Sequence, residues 1–597
     1  MNTSHSWFGS GSYTLPRHID MPAEEIAQLG AVVVPPFGWE DICSYRPLRF
    51  LGKTLAAHGI PTLRFDLPGT GDSSGGALDA GLVEAWIRSV GDAAEELRAA
   101  TGVQNVAVIG IGMGANLAAA AASRANFQDL VLWGCAANGR ALVRELRAFA
   151  QLETQEFANG DPPPPQLLPG LEVAGFLVSP ETQKDLESLS IAGSQLHGRR
   201  ILVLSRDELR IDPRLVSALQ GGGVEPEIGI GSGYAAMMAA PHEAVPPTAT
   251  AARIAEFLKG GAPLNAGGQN SVTKRVSTEL RTTAFEEDGA RVLETIWTLK
   301  NSPGHSPAPI FGVLSEPEAR TTASDLCLLF LNPGSTRHIG ANRNWVQAAR
   351  RWAARGIPSL RMDVGGEGES DTERLTGVAP LYETGLIEDI EAAMAALRAS
   401  HGARRFIAIG LCSGAFWAFH AAIRNAEVRR ALLLNPRLFF WDPEVDQRRM
   451  LRRTVNGFTS SSVWRRMFSG QITPQRIKEG GKVILETVRR GRAVRNQPTQ
   501  IPAEELARAL SAVGNNRGHL TLVFTEGEPL LEEMEEERQM PPQDSPHVHC
   551  VRVANCGHTF RPLWSQQFVH ELIDRELEAV LQENTPFCEE NVQKAAR

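Results

Sequence analysis

The sequence predicts an α/β protein built as two tandem copies of one domain, each a mostly parallel sheet with helices on both faces and a helical cap insertion. Three observations carry this. Short β-rich runs alternate with longer helical stretches throughout. A segment from His58 to Ser73 (HGIPTLRFDLPGTGDS) returns without a gap as Arg355 to Ser370 (RGIPSLRMDVGGEGES). An apolar run, a glycine-rich turn and a helix-like run occur once at Val106–Ala115 and again at Phe406–Ala415. At 597 residues the chain is too long for one compact domain and suits two units of ~250 to 300 residues.

In the first half the expected strands are Ala31–Val34, Thr62–Phe65, Val106–Ile109, Leu130–Trp133 and Ile201–Leu204. In the second they are Leu326–Phe330, Ser359–Met362, Phe406–Ile409, Ala431–Leu434, Leu520–Phe524 and Val551–Val553. Arg291–Leu299 and Ile310–Leu314 add an antiparallel start to the second copy, part of which the first copy is expected to lack. Small, polar and turn-forming residues at Lys259–Asn270 show no hydrophobic period. The division is therefore 1–260, a linker at 261–272, a second domain at 273–582 and a tail at 583–597.

A net charge of −8 and a pI near 6.0 argue against nonspecific nucleic-acid binding. Seven unevenly spaced cysteines suggest neither a disulfide framework nor a zinc cluster, and fit a reducing compartment. With no apolar stretch of ~18 residues and no signal-peptide pattern, a cytoplasmic protein is expected, with no membrane partner. No cofactor motif holds: Gly110–Ala115 fails the dinucleotide spacing, Gly69–Gly76 lacks the Lys-Ser/Thr of a phosphate loop, and His547 and His549 lack a second cluster for a metal.

Cys412 lies at the centre of Gly410-Leu411-Cys412-Ser413-Gly414, between the apolar run Phe406–Ile409 and the helical run Ala415–Ala422. Glycines flank it because side chains there would collide with the adjacent strand and helix, and the turn lifts one side chain clear of the sheet. Ser413 lies one residue past that centre and would point into the helix start. In the first copy Gly112 stands at the thiol's place.

On the repeat and these turns, both halves resemble the α/β-hydrolase superfamily, over nearly the whole chain apart from the linker, the cap insertions and the tail. The resemblance implies the chain order nucleophile, acid, histidine. Cys412 is then the nucleophile. His558, in Gly557-His558 after the last strand, is the base. Glu528, in the turn after Leu520–Phe524, is the acid, with Glu526 behind it. The oxyanion donors implied are the backbone N–H of Ser413 and one from Gly334 or Ser335. The chemistry needs this set because a free thiol, with pKa ~8.5, is only a few per cent thiolate at neutral pH, and a carboxylate-backed imidazole removes its proton. In the first half Gly233-Tyr234 matches Gly557-His558, while Asp207 is a relic of the acid and His242 a displaced base. That copy reads as non-catalytic, a packing partner shaping the mouth of the second site.

Two caps are expected, at about 136–197 and about 435–516. The first carries a stiff Asp161-Pro162-Pro163-Pro164-Pro165 turn. The second is rich in arginine, including Arg448, Arg449, Arg452 and Arg453 as substrate-binding candidates, and would draw an anionic partner toward Cys412. An acyl thioester on coenzyme A or on an acidic acyl carrier protein suits that charge. The leading expectation is a cysteine-dependent thioesterase or acyltransferase. A carboxylic-ester hydrolase is the alternative within enzymes, and a tandem pseudo-hydrolase that binds a ligand or protein without chemistry is the alternative outside them.

Overall fold

A computed structural model describes residues 2–582 apart from 24–26, 123, 158–167, 192–195, 197, 262–279, 301–308, 320–324, 371–380, 383 and 442–502. Each half is built on one large sheet. The first half supplies β1 (Asn2–Ser10), β2 (Tyr13–Met21), β3 (Leu29–Val34), β4 (Thr62–Phe65), β5 (Asn105–Ile111), β6 (Asp129–Trp133), β7 (Leu171–Val173), β8 (Phe176–Val178), β9 (Arg200–Leu204) and β10 (Glu227–Gly229). Its eight-stranded sheet runs β1-β2-β4-β3-β5-β6-β9-β10, antiparallel as far as β4 and parallel from there on.

The second half supplies β11 (Thr282–Glu287), β12 (Ala290–Leu299), β13 (Ile310–Pro317), β14 (Leu326–Leu331), β15 (Ser359–Asp363), β16 (Arg405–Leu411), β17 (Val428–Leu434), β18 (His519–Thr525) and β19 (Val548–Val553). The order β11-β12-β13-β15-β14-β16-β17-β18-β19 repeats the first half's plan, with an antiparallel start and a parallel remainder.

Central strands are apolar from end to end because helices cover both faces. β3 and β14 are buried at every residue. In β16, Phe406 and Ala408 enter the core on one face while Ile407, Ile409 and Leu411 enter the other. Truncating one of these to alanine, Ile409→Ala for example, costs ~2–5 kcal/mol.

Two expectations are refined here. The first half has counterparts of the two expected strands in β1 and β2, which pair along nine residues, but its antiparallel start is one strand shorter than β11-β12-β13 of the second half. β1 is hard to read because its sequence, NTSHSWFGS, has little apolar alternation. Its polar side chains find partners instead: Thr3 donates to Asp20 at 2.8 Å and Ser10 to Asp92 at 2.7 Å. The Trp7 N–H donates to the Leu280 carbonyl of the second half at 2.9 Å, so part of this strand's environment is supplied by distant chain. The first cap is also not purely helical, because the hairpin β7–β8 lies between the helices Gly139–Phe157 and Pro180–Ser188. The Asp161–Pro165 turn, the linker core and the tail lie outside the described residues.

The halves meet through buried charge. Arg64 on β4 and Arg361 on β15 hold equivalent places, each in a strand flanked by the antiparallel start. Each reaches across to the other half: Arg64 to Glu369 at 2.9 Å, Arg361 to Asp72. Arg337 binds Asp66 at 2.8 Å and Asp41 at 3.3 Å, and His338 sits between Asp72 at 2.6 Å and Asp363 at 2.9 Å. Arg343 and Arg350 donate to the carbonyls of Gly71, Asp72 and Ser73. Burial disfavours a charged His338, but the two carboxylates outweigh it and push its pKa up to about 9. Removing one partner from such a pair costs ~3–5 kcal/mol because the other charge is left buried and uncompensated.

Candidate active site

Cys412 stands between β16 and the helix Ser413–Arg424 with φ 58° and ψ −111°. The turn is held by its amide, which donates to the Leu434 carbonyl at 2.9 Å. The glycines around it are required by contact: a Cβ on Gly410 would meet the Gly414 carbonyl oxygen at 2.1 Å, and one on Gly414 the Leu331 carbonyl oxygen at 2.3 Å. Both clashes are with backbone that cannot yield, so the turn is fixed by sequence.

His558 follows β19 and lies against the thiol. Its Nδ1 is 2.7 Å from Glu528 Oε1, and Glu528 heads the helix Pro529–Glu536 after β18. Thr525 donates to the same carboxylate at 3.3 Å. Asn435, at the end of β17, ties the parts together: its Nδ2 donates to the His558 carbonyl at 2.7 Å and its Oδ1 accepts the Thr525 N–H at 2.7 Å. Glu526, the second acid candidate, is exposed, whereas Glu528 is buried against the ring.

Only 8 % of Cys412 is exposed. Burial alone would push its thiol up, but the facing imidazole, with smaller help from Arg437 and Tyr382, brings it down from 9.0 to about 7. His558 moves the opposite way: burial disfavours its charge, yet the thiolate and Glu528 raise it to about 9. The two opposed shifts favour a thiolate–imidazolium pair. The same chemistry separates Cys412 from the other described thiols, since burial pushes Cys43, Cys135 and Cys556 up to about 12 and raises Cys327 and Cys550 as well.

The implied oxyanion donors are partly spoken for. The Gly334 N–H donates to Ser413 Oγ at 2.9 Å, and that hydroxyl is in turn 3.3 Å from the Asn332 carbonyl, which locks the Ser413 side chain in the interior. The Ser335 N–H donates to Glu367 Oε1 at 3.2 Å. Sequence reasoning missed three neighbours of the thiol and assigned a fourth residue near the site, His242, to the wrong half. Tyr382 places its hydroxyl 3.9 Å from Sγ, with its ring stacked on Trp441 and edge-on to Phe416. Arg437 Nε lies 3.5 Å from His558 Nε2. Glu367 is buried beside Ser335. His242 belongs to the first half, but its Nδ1 is 3.5 Å from where a Gly334 Cβ would stand, and it feels the charges of Arg437 and His558. A lone residue in a loop gave no signal for Tyr382, Arg437 or Glu367. Arg448, Arg449, Arg452 and Arg453 lie outside the described residues.

The corresponding place in the first half is filled. Gly112 has the same backbone, φ 56° and ψ −124°, and its amide makes the same bond, to Trp133. A Cβ there would stand 3.0 Å from both Glu40 Oε2 and the Tyr234 hydroxyl. Asp207 accepts the amides of Gly233, Tyr234 and Ala235 at 2.6, 3.2 and 2.8 Å, so its carboxylate serves the local backbone.

The alpha/beta hydrolase family profile matches residues 328–572, and that of a serine aminopeptidase family, S33, matches 43–167. The chain belongs to the alpha/beta hydrolase superfamily. It carries two hydrolase-type domains, one in each half. Solved structures similar to it include an esterase of Pyrococcus furiosus (14% identity, 47% of this chain and 90% of that one, TM-score 0.30) and the esterase domain of a Rhodothermus marinus protein (16%, 44% and 97%, 0.31). The proline iminopeptidase of Mycobacterium smegmatis is a third (14%, 43% and 98%, 0.29). No curated protein matches the chain. Among the described residues no helix of this superfamily member is long and apolar enough to cross a membrane.

Proposed function

We propose that the second half is a cysteine-dependent thioesterase or acyltransferase that works through an acyl group bound to Cys412. The observation that carries this is the thiol brought down to about 7 by His558 while the other described thiols are raised. In the proposed cycle the Cys412 thiolate attacks the acyl carbonyl carbon, and the carbonyl π pair moves onto oxygen. Collapse expels the leaving thiol, which takes the proton from His558 Nε2, and leaves an acyl thioester on Cys412. An acceptor then gives its proton to His558 and attacks that thioester, releasing Sγ. Glu528 keeps Nδ1 protonated and steadies the imidazolium.

Cysteine in place of serine favours transfer, because a thioester is attacked by amines or thiols, relative to water, more readily than an oxygen ester is. Membership of a superfamily of hydrolases favours water as acceptor and keeps hydrolysis of a thioester or carboxylic ester as the second reading. An acyl group on coenzyme A or on an acidic carrier protein is the substrate proposed from the arginine-rich stretch containing Arg448, Arg449, Arg452 and Arg453. The first half is proposed to be a non-catalytic copy, which is supported by the filled space at Gly112 and by His242 standing beside Gly334 of the second half.

Intact-mass spectrometry after mixing with short-chain acyl-coenzyme A tests the reading. An acyl adduct lost in Cys412→Ala is expected. Absence of any adduct, with alkylation of Cys412 intact, would mean a binding protein. Adduct decay in water against decay with added amine or thiol separates hydrolysis from transfer.

A further inference from the structure

We propose that Glu367 is a catalytic residue of this site, its Oε2 hydroxyl donating to the substrate carbonyl oxygen alongside the Ser413 backbone N–H. This rests on the acyl-enzyme reading above. A tetrahedral oxyanion needs two or more donors aimed at it. The Gly334 N–H is taken by Ser413 Oγ and the Ser335 N–H by Glu367 Oε1, so neither backbone amide of that loop is open. Glu367 Oε1 therefore sits where an anion would otherwise accept.

The other carboxyl oxygen is the telling atom. Glu367 is 2 % exposed, and its Oε2 is buried with no hydrogen-bond partner. Buried polar atoms are seldom left unpaired, and an orphan beside a reactive group points to a ligand that completes it. Among the described residues no salt bridge reaches this carboxyl, and burial, with repulsion from Asp363 and Cys412 beside it, holds it well above the usual carboxylate range. The neutral acid fits the geometry: its carbonyl oxygen accepts from Ser335, and its hydroxyl is free to donate.

The segment carrying Glu367 is held from both sides. Asp363 Oδ1 accepts the His338 N–H, and its Oδ2 accepts the Glu369 N–H at 2.9 Å. Glu369 is clamped by Arg64, Arg49 and Tyr45 of the first half. The backbone on either side of Glu367 is thereby anchored, and a donor fixed before reaction needs no reorganisation during it. In the acylation step the carbonyl π pair goes to oxygen, where the Glu367 hydrogen and the Ser413 amide meet it. Glu367 keeps its proton throughout, and the leaving group is protonated by His558.

The test compares the full-length Glu367→Gln, Glu367→Met and Ser335→Ala proteins with the parent, using butyryl-coenzyme A for acyl-adduct formation and turnover and iodoacetamide for the thiol alone. Glu367→Gln keeps an acceptor and a donor and should stay within about tenfold of the parent. Glu367→Met should lower kcat and the acylation rate ~10²–10³-fold with KM little changed. Alkylation of Cys412, which forms no oxyanion, should proceed at the parent rate in both. Equal acylation in Glu367→Met and parent overturns the proposal, as does a Glu367→Gln protein as slow as Glu367→Met. A slow Glu367→Met that has also lost alkylation shows a packing role and overturns it too, as does loss confined to Ser335→Ala, whose Oγ is the neighbouring orphan. If the parent is alkylated at Cys412 but forms no acyl adduct with any thioester, the acyl-enzyme reading falls and takes this role with it.

Discussion

Replacing His558 with glutamine should change how Cys412 reacts with iodoacetamide in a way that depends on pH. In the parent protein the thiol titrates at about 7, so half is thiolate at pH 7. Without the imidazole, burial is the main influence left and the thiol returns to 9.0 or higher. At pH 7 the thiolate fraction then falls to about one part in a hundred, a ~50-fold loss. A less acidic thiol is a better nucleophile, and over two units the gain is ~8-fold. The net expectation is alkylation slowed ~6-fold at pH 7 but accelerated several-fold at pH 10, with the two profiles crossing between. Peptide mapping isolates the signal, since the other described thiols are raised. A parent profile with its midpoint at 9, or profiles that superimpose, would refute the ion-pair argument.

Cys412→Ala should abolish adduct formation and turnover while leaving the melting temperature within a few degrees, a result that calorimetry and mass spectrometry check together. Gly112→Cys should create no second acylated thiol, because the new Cβ would be 3.0 Å from Glu40 and Tyr234; a doubly acylated protein would contradict this. The His338 pKa is raised from 6.5 to about 9, so the stability it confers is fully present below 6.5 and lost as pH rises through 9, with a magnitude on the order of 3 kcal/mol. Urea midpoints at pH 6 and pH 9.5 should therefore differ by less in His338→Gln than in the parent. Reversing Arg448, Arg449, Arg452 and Arg453 to glutamate should weaken capture of an acidic acyl carrier protein and flatten its salt dependence, measured by titration at two ionic strengths.

The parallel cores were legible because their strands are runs of buried apolar residues, as in β3 and β14, and because the turns at Cys412 and Gly112 need glycine neighbours. His558 and Glu528 were found through chain order after strands, and the structure brings both to the thiol's side of the sheet. What escaped depends on chain far away. β1 reads as polar because its partners are Asp20, Asp92 and the second half's backbone. Glu367 lies unmarked within the repeated segment, and only folding shows that no cation reaches it among the described residues. His242 was sought as a base for its own half and lies instead against the other.

The crossed pairs Arg64–Glu369 and Arg361–Asp72 bind the fates of the two halves. A lobe expressed alone would present a face of unmatched guanidinium and carboxylate groups where its sibling belongs. The elbow around Gly112 takes no part in those pairs, so the loss of a nucleophile proposed for the first lobe would leave its handshake with the second intact.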